Sequence, residues 1–448
     1  MTRELILGIL LSVTRDGEYS HVALQNVLNK YQYLDKKERA FITRVTEGTL
    51  EHMIEIDYII NQFSKVKVNK MKPVIRCIMR SAVYQLKYMD SVPDSAVCNE
   101  AVKLATKKGF HTLKGFVNGV LRNIARNLDN VTYPDKPDYV SFLSIQYSMP
   151  TWILEQWLAC YDKETVEIML EDFLKEKPTT IRCNLNVMSK EELRASLEKE
   201  GVHVENHPYL PYALRISSYD YLADLVSFQS GAFYVQDISS MLVAHIANPK
   251  EDDYIIDVCA APGGKALHMA ELLHGTGHVQ ARDLTDYKVN LIRENILRSG
   301  VQNMAAVKWD ATVLNEDSIE KADIVIADLP CSGLGVIGKK TDLKYKMTKE
   351  IQSQLVKLQR QILSKVQAYV KADGTLIYST CTIRAGENME NVHWFLKEYP
   401  QFELVPIEEF LCEELKSSVQ EKGCLQLLPG VHESDGFFIA KFRKKSHR

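Results

Sequence analysis

The stretch IIDVCAAPGGKALHMAELL, residues 255–273, decides the fold. It opens with a short apolar run of β-formers, passes through a loop of small residues, and continues into apolar residues at three- and four-residue steps. That is a buried strand, a tight turn and a helix. Gly263 and Gly264 let the backbone come close to a ligand with no Cβ in the way. The free N–H groups of the following helix face the same crevice. The pattern repeats downstream. HVQARDL (278–284) precedes the helical DYKVNLIRENILRSG, MAAVKWD (304–310) follows, then ADIVIADLP (322–330), a long helix around 348–371, and GTLIYSTCT (374–382). DGFFIAKFRK (435–444) closes the chain as another strand. Short β-rich runs alternating with helices predict a parallel, doubly wound sheet, a Rossmann-like α/β domain over 241–448.

The first loop cannot be a P-loop. That would require Gly at 259 and Ser or Thr at 266, where the chain has Cys259 and Ala266. Nor does it carry GxGxxG. Asp283 ends the next strand 19 residues after Gly264, where an acid accepts hydrogen bonds from ribose hydroxyls. Asp310 ends the third strand, placed to hold an adenine amine or ring. A ligand with ribose and adenine but no phosphate fits, and S-adenosylmethionine is such a ligand. The plain structural alternative is a tight turn with nothing bound.

DLPCSGLGVIG, residues 328–338, offers two readings. Gly333, Gly335 and Gly338 fit GxGxxG, but a lysine-rich segment without an apolar face follows instead of an amphipathic helix. A lone GxGxxG is weak evidence, so the glycines read as a flexible basic loop over the site. Cys331 lies just past the strand end at Asp328, and Cys381 just past the end of GTLIYST. Consecutive strands joined by one helix are expected to be neighbours, with ligand chemistry at their carboxyl ends. A lone cysteine is usually a small core hydrophobe. Two at strand tips beside a methyl-donor loop suggest chemistry. The C5 carbon of a pyrimidine is a poor nucleophile. A thiolate added to C6 makes C5 enamine-like, able to take a methyl group, after which a base removes the C5 proton and the thiol is eliminated. Asp328 is placed to hydrogen-bond the Watson–Crick edge of the base. The base must leave its stack to be reached, which is easier in loosely paired RNA. These residues alone do not order the two thiols.

Outward from this domain, residues 1–130 read as helices throughout, with N-caps at Asp35, Asp94 and Ser95 and a first-turn Pro73. The polar stretch DNVTYPDKPDY, 129–139, reads as a linker. Helical patterns over 140–175, a strand in TTIRCNLNV, a helix in SKEELRASLEKEG and a strand in ALRISS make a small α+β module, so 131–240 is expected to hold the linker and that module. Residues 1–130 carry 20 Lys and Arg against 13 Asp and Glu, net +7, and the remainder is net −10, giving −3 overall. A basic N-terminal third points to a polyanion partner. Arg122 and Arg126 share a helix face, as do Lys36 and Arg39, although a solvated face is the ordinary reading of any one of them. Nine cysteines, an odd number without CxxC in a long chain, argue against a disulfide framework or zinc site and favour a reducing compartment. The apolar run LILGILLSV is too short to span a membrane and lacks a cleavage site. A cytoplasmic monomer with no membrane contact and no metal is expected.

DVCAAPGGK, DLPCSGLGVIG and YSTCT, in this order and spacing, resemble the motifs of the RNA cytosine-C5 methyltransferases. With the helical N-terminus the resemblance is to the bacterial 16S rRNA methyltransferases of the Sun/Fmu type (RsmB-like). LKGFVNGVLRNI (113–124) is similar to the antitermination protein NusB, and FQSGAFYVQDISSML (228–242) resembles the segment preceding the cofactor loop in this family. The resemblance implies a NusB-like RNA-binding bundle over 1–130, an RNA-binding module over 131–240 and the catalytic domain over 241–448. It implies S-adenosylmethionine as cofactor and 16S rRNA, free or partly assembled, as partner. Cys259, Ala260, Ala261, Pro262, Gly263, Gly264, Lys265, Asp283, Asp310 and Asp328 would contact the cofactor or base, Cys381 would be the nucleophile and Cys331 would help release product. A Pro-Cys thiol serves as nucleophile in DNA C5 methyltransferases, which would favour Cys331, but the RNA family favours Cys381. One departure is the segment after the Pro-Cys loop. A His-Pro-Asp-like core is replaced by Lys340-Thr341-Asp342, which bears on how RNA is gripped. The competing readings are the same chemistry on tRNA or 23S rRNA, a non-catalytic NusB-like RNA-binding factor, and, more distantly, a thiol oxidoreductase.

Overall fold

A computed structural model of the chain describes residues 1–135 and 137–446. Lys136, inside the expected linker, and the last two residues lie outside the described residues. The chain forms two compact units. One comprises Met1–Lys175 with Ile337–Met347, the other Glu176–Val336 with Thr348–Arg448.

The first unit is helical. Its helices pack Ile6, Leu10, Ile42, Val45, Ile59 and Val83 into one core, each at most 1 % exposed. Asp35 caps its helix by accepting the Glu38 N–H at 2.8 Å, and Pro73 opens another. Two expectations need correction. Asp94 and Ser95 are not N-caps: Pro93 holds that position and both lie in the first turn. The helices flanking His52 are Lys36–Glu51 and Met53–Phe63. At Gly48 a Cβ would lie 2.1 Å from the Tyr84 ring, so the Tyr84 side chain occupies the space glycine leaves.

The Ile337–Met347 segment is a larger correction, because it is not a flexible basic loop. Asp342 is 1 % exposed and accepts from the Ser20 N–H (3.1 Å) and hydroxyl (2.6 Å) at the start of helix Ser20–Lys30. Its carboxylate also pairs with Lys346 at 2.8 Å. Lys344 is buried and donates to the Glu51 carbonyl at 2.8 Å. Burial pushes its ammonium down to about 7. These side chains fasten the segment into the helical unit, so Asp342, Lys344 and Lys346 serve structure, while Lys339 and Lys340 stay exposed.

The second unit holds two sheets. The smaller is antiparallel, order β2-β3-β1-β4, from β1 (Thr179–Cys183), β2 (His203–Asn206), β3 (Ala213–Ser217) and β4 (Phe233–Val235). Helix Lys190–Lys199 covers it behind a Ser189/Glu192 capping box. The larger sheet comprises β5 (Tyr254–Asp257), β6 (His278–Asp283), β7 (Met304–Lys308), β8 (Ala322–Asp328), β9 (Val370–Thr380), β10 (Phe402–Leu404), β11 (Val419–Glu421), β12 (Cys424–Leu427) and β13 (Phe437–Lys444). Its order is β11-β12-β13-β9-β8-β5-β6-β7, with β10 on β13. The expected parallel arrangement holds for β7-β6-β5-β8-β9, but the sheet is mixed, because β13 joins β9 antiparallel and β10–β12 extend that pairing. In a parallel pair strand ends coincide. Asp328 of β8 stands opposite Ser379 of β9, and Asp257 of β5 opposite Ile326 of β8. The loops leaving β5, β8 and β9 therefore open at one edge. Arg182 of β1 is fully buried and binds Gln236 at 2.7 Å and Glu271, which fixes the small sheet against the helix behind the first loop.

Candidate active site

The first loop is held by its own backbone. Asp257 is buried and accepts the Cys259 N–H, Ala260 N–H binds the Arg282 carbonyl at 2.8 Å, and Ala261 N–H binds the Asp283 carboxylate at 3.0 Å. The Ala261–Pro262 peptide is cis. Gly263 has φ +111°, a conformation that an L side chain rarely adopts, and its N–H returns to Ala260 at 2.7 Å. Helix Gly264–Leu272 begins there. Cys259 is a partly buried thiol pushed up by burial and by Asp257, Asp283 and Asp328. Asp257, Asp283 and Asp328 crowd this loop, an acidic surrounding that disfavours a phosphate ligand.

Lys265 sits differently from its loop neighbours. Its side chain turns toward the thiols: Nζ donates to the Asp328 carboxylate at 2.7 Å and lies 5.3 Å from the Phe437 ring centroid. Burial works against its charge, and Asp328 more than restores it. Asp257, behind them, is raised to about 7, first by burial and then by Asp328. Asp283 accepts from the Leu284 N–H (2.8 Å) and pairs with Lys288 (3.1 Å). Asp310 caps Thr312 through one oxygen, at 2.9 Å to the N–H and 2.7 Å to the hydroxyl.

The two strand-tip thiols are in contact. The sulfurs of Cys331 and Cys381 are 3.1 Å apart, and both side chains are partly buried. Asp328 is shared between Lys265 and the Ser379 hydroxyl, the latter at 2.8 Å. The Cys331 thiol is pushed well up, first by its hydrogen bond with Cys381, then by burial, then by the charges of Cys381 and Glu387. Gly335 explains the misleading fingerprint. Its N–H binds the Cys381 carbonyl at 3.1 Å, and a Cβ there would fall 1.9 Å from the Gly436 carbonyl oxygen. The glycine exists for this crossing of two backbones.

Sequence reasoning missed the segment Gly386–Asn391. Glu387 is fully buried and accepts the Ser332 N–H at 2.9 Å. Asn388 accepts from the Thr380 hydroxyl (2.6 Å) and donates to the Thr382 carbonyl (2.9 Å), bracketing Cys381. The available signal is the largely polar run GENMEN, which begins five residues after a strand-tip cysteine. No group of metal-ligating side chains occurs among the described residues.

Comparison with known proteins agrees with this architecture. A family model for the 16S rRNA methyltransferase RsmB/F matches residues 244–443, a NusB family model residues 1–126, and an RsmF/B-like ferredoxin-like domain model residues 149–220. A probable ribosomal RNA small subunit methyltransferase B of Bacillus subtilis is 36% identical over 445 residues, covering 99% of this chain and 98% of the relative. The chain belongs to the RsmB/F methyltransferase family. A second such relative, from Synechocystis, is 32% identical over 99% of both chains. Among solved structures, PH0851 superposes with a TM-score of 0.83 at 25% identity, covering 99% of this chain and 98% of that one. NSun6 from Pyrococcus horikoshii gives 0.59 at 26% identity, covering 65% and 97%. This RsmB/F member is an S-adenosylmethionine-dependent methyltransferase with a NusB domain, a ferredoxin-like module and a Rossmann-like catalytic domain. No helix among the described residues is long and apolar enough to cross a membrane.

Proposed function

We propose that this RsmB/F member methylates C5 of a cytosine in 16S rRNA through a covalent bond between Cys381 and C6 of the base. The observation that carries the reading is the 3.1 Å pair of thiols at adjacent strand ends, flanked by the Lys265–Asp328 pair. S-adenosylmethionine, held by 259–265, Asp283 and Asp310, supplies an electrophilic methyl group. The chain's own residues do the rest. Asp328 hydrogen-bonds the N3 edge and favours its protonation, which draws electron density from C6. The Cys381 thiolate adds there, forming the S–C6 bond and leaving C5 nucleophilic. After methylation of C5, the Cys331 thiolate takes the C5 proton and becomes the thiol. The S–C6 bond then breaks, which restores the Cys381 thiolate and the aromatic ring.

Electrostatics supports this division of labour. The Lys265 ammonium interacts favourably with charge on Cys381, while the Glu387 carboxylate opposes charge on Cys331. The largest influence holding the Cys331 proton is Cys381 itself. Once the Cys381 sulfur becomes a thioether that influence ends, while burial and the Glu387 charge remain; Cys331 then gives its thiol proton to solvent and, as the thiolate, acts as the base. The N-terminal 1–130 bundle and the 131–240 module would bind the RNA, free or partly assembled, with the chain acting as a monomer. Bisulfite sequencing of 16S rRNA, 23S rRNA and a tRNA pool, each incubated with enzyme and S-adenosylmethionine, tests the reading. One protected 16S cytosine, lost with Cys381→Ala, is expected. Protection in another RNA would replace the substrate, and RNA binding without protection anywhere would overturn the reaction.

A further inference from the structure

We propose that Glu387 is a positioning residue for the release half of the reaction: it holds the peptide after Cys331 so that this thiol meets the adduct on Cys381. The inference rests on the function proposed above and concerns a residue outside its catalytic set. Cys331 leaves β8 on a loop with no regular secondary structure, so something must fix its sulfur to within a few tenths of an ångström. Two side chains do so, one on each side of it. Gln359 donates to the Pro330 carbonyl at 2.9 Å. Glu387 accepts from the Ser332 N–H at 2.9 Å. The same Gln359 amide also donates to Glu387 at 3.0 Å, so both clamps share one carboxylate oxygen, Oε2. Behind them Asn391 donates to the Gln359 oxygen at 2.8 Å, and Tyr378 of β9 donates to the Glu387 carbonyl. Ser332 is also joined to Thr382 by a hydroxyl contact of 2.8 Å, which links the loop to the residue after Cys381.

A fully buried carboxylate costs free energy that hydrogen bonds must offset. Here the second oxygen, Oε1, has no hydrogen bond, and its nearest cation, Arg384, is 3.9 Å away. The buried carboxylate sits where it grips a backbone N–H next to a reacting thiol.

The test uses the full-length enzyme with 16S rRNA. Wild type and Cys331→Ala come first. If Cys331→Ala accumulates no protein–RNA adduct, the proposed covalent mechanism fails independently of Glu387. Given that adduct, Glu387→Ala is expected to preserve the single-turnover rate of methyl transfer and the KM for RNA. Multiple turnover should drop on the order of 100-fold, the penalty for misplacing a reacting group by about an ångström, while a denaturation-resistant adduct builds up. Glu387→Gln keeps an oxygen for the Ser332 N–H and should restore most of the turnover. S-adenosylmethionine affinity of each variant reports an intact catalytic domain. Should Glu387→Ala fail that check, Gln359→Ala, which removes the Pro330 clamp, is expected to show the same adduct. Equal losses in methyl transfer and turnover without an adduct, or wild-type turnover in both alanine variants, would overturn the proposal.

Discussion

Gly335→Ala probes the point where the two reactive strands are locked together. A Cβ at 335 would lie 1.9 Å from the Gly436 carbonyl oxygen, against a floor of 3.0 Å for real contacts. The gap must open by the difference, 1.1 Å. Neither side yields easily. Gly335 N–H is bound to the Cys381 carbonyl, Gly436 N–H to the Gly335 carbonyl at 2.9 Å, and a Cβ on Gly436 would itself meet Ile383 at 2.6 Å. Overpacking of this kind costs about 2 kcal/mol, or roughly 4–8 °C in the melting midpoint of a domain this size. The functional cost is larger. A loop four residues past Cys331 that moves by 1.1 Å pulls the thiols out of register, and turnover should fall on the order of 100-fold. Melting followed by circular dichroism, with radiolabelled methyl transfer to 16S rRNA, measures both. Wild-type turnover in Gly335→Ala would refute the reasoning and reopen the reading of these glycines as a mobile loop.

Three further expectations follow from single side chains. Lys265→Met leaves Asp328 without its cation, so the catalytic domain should lose up to about 3 kcal/mol in denaturant unfolding, and methyl transfer should fall far more than S-adenosylmethionine affinity measured by calorimetry. Asp257 is raised from its ordinary value to about 7, so folding takes up a proton and its contribution to stability declines as pH climbs from about 4 to about 7, by up to about 4 kcal/mol. Asp257→Asn should flatten that part of the wild-type stability–pH curve, and an unchanged slope would contradict the assignment. Asp342→Ala removes a helix cap and an ion pair, so proteolysis should open the helical unit more readily, for a cost of about 1–2 kcal/mol. The salt dependence of RNA binding should not change, whereas a segment that grips RNA would show a shallower slope.

How far the residues could be read depended on how local their causes are. The strand–turn–helix around Gly263 is legible because its parts are consecutive, and the meeting of the two thiols because strand tips in such a sheet converge. Asp342 looked like part of a basic loop because its partners, Ser20 and its helix start, lie 322 residues away. Gly335 resembled a nucleotide fingerprint for the same reason, its partner being Gly436. Glu387 and Asn388 lie at a one-turn 3-10 helix, where no periodicity marks burial, and their targets are the backbone groups beside the two cysteines. The antiparallel entry of β13 depends on sheet pairing that the alternation of strands and helices does not encode.

The most direct test of the central claim is to map the covalent bond itself. In 16S rRNA transcribed with 5-azacytidine, position 5 is a nitrogen that carries no proton to remove after methylation, so elimination is blocked and the adduct persists. Nuclease and protease digestion followed by tandem mass spectrometry should find the modified base on the peptide containing Cys381, and none with Cys381→Ala. Attachment to Cys331 would reverse the assigned roles of the thiols, and absence of any adduct would contradict covalent catalysis.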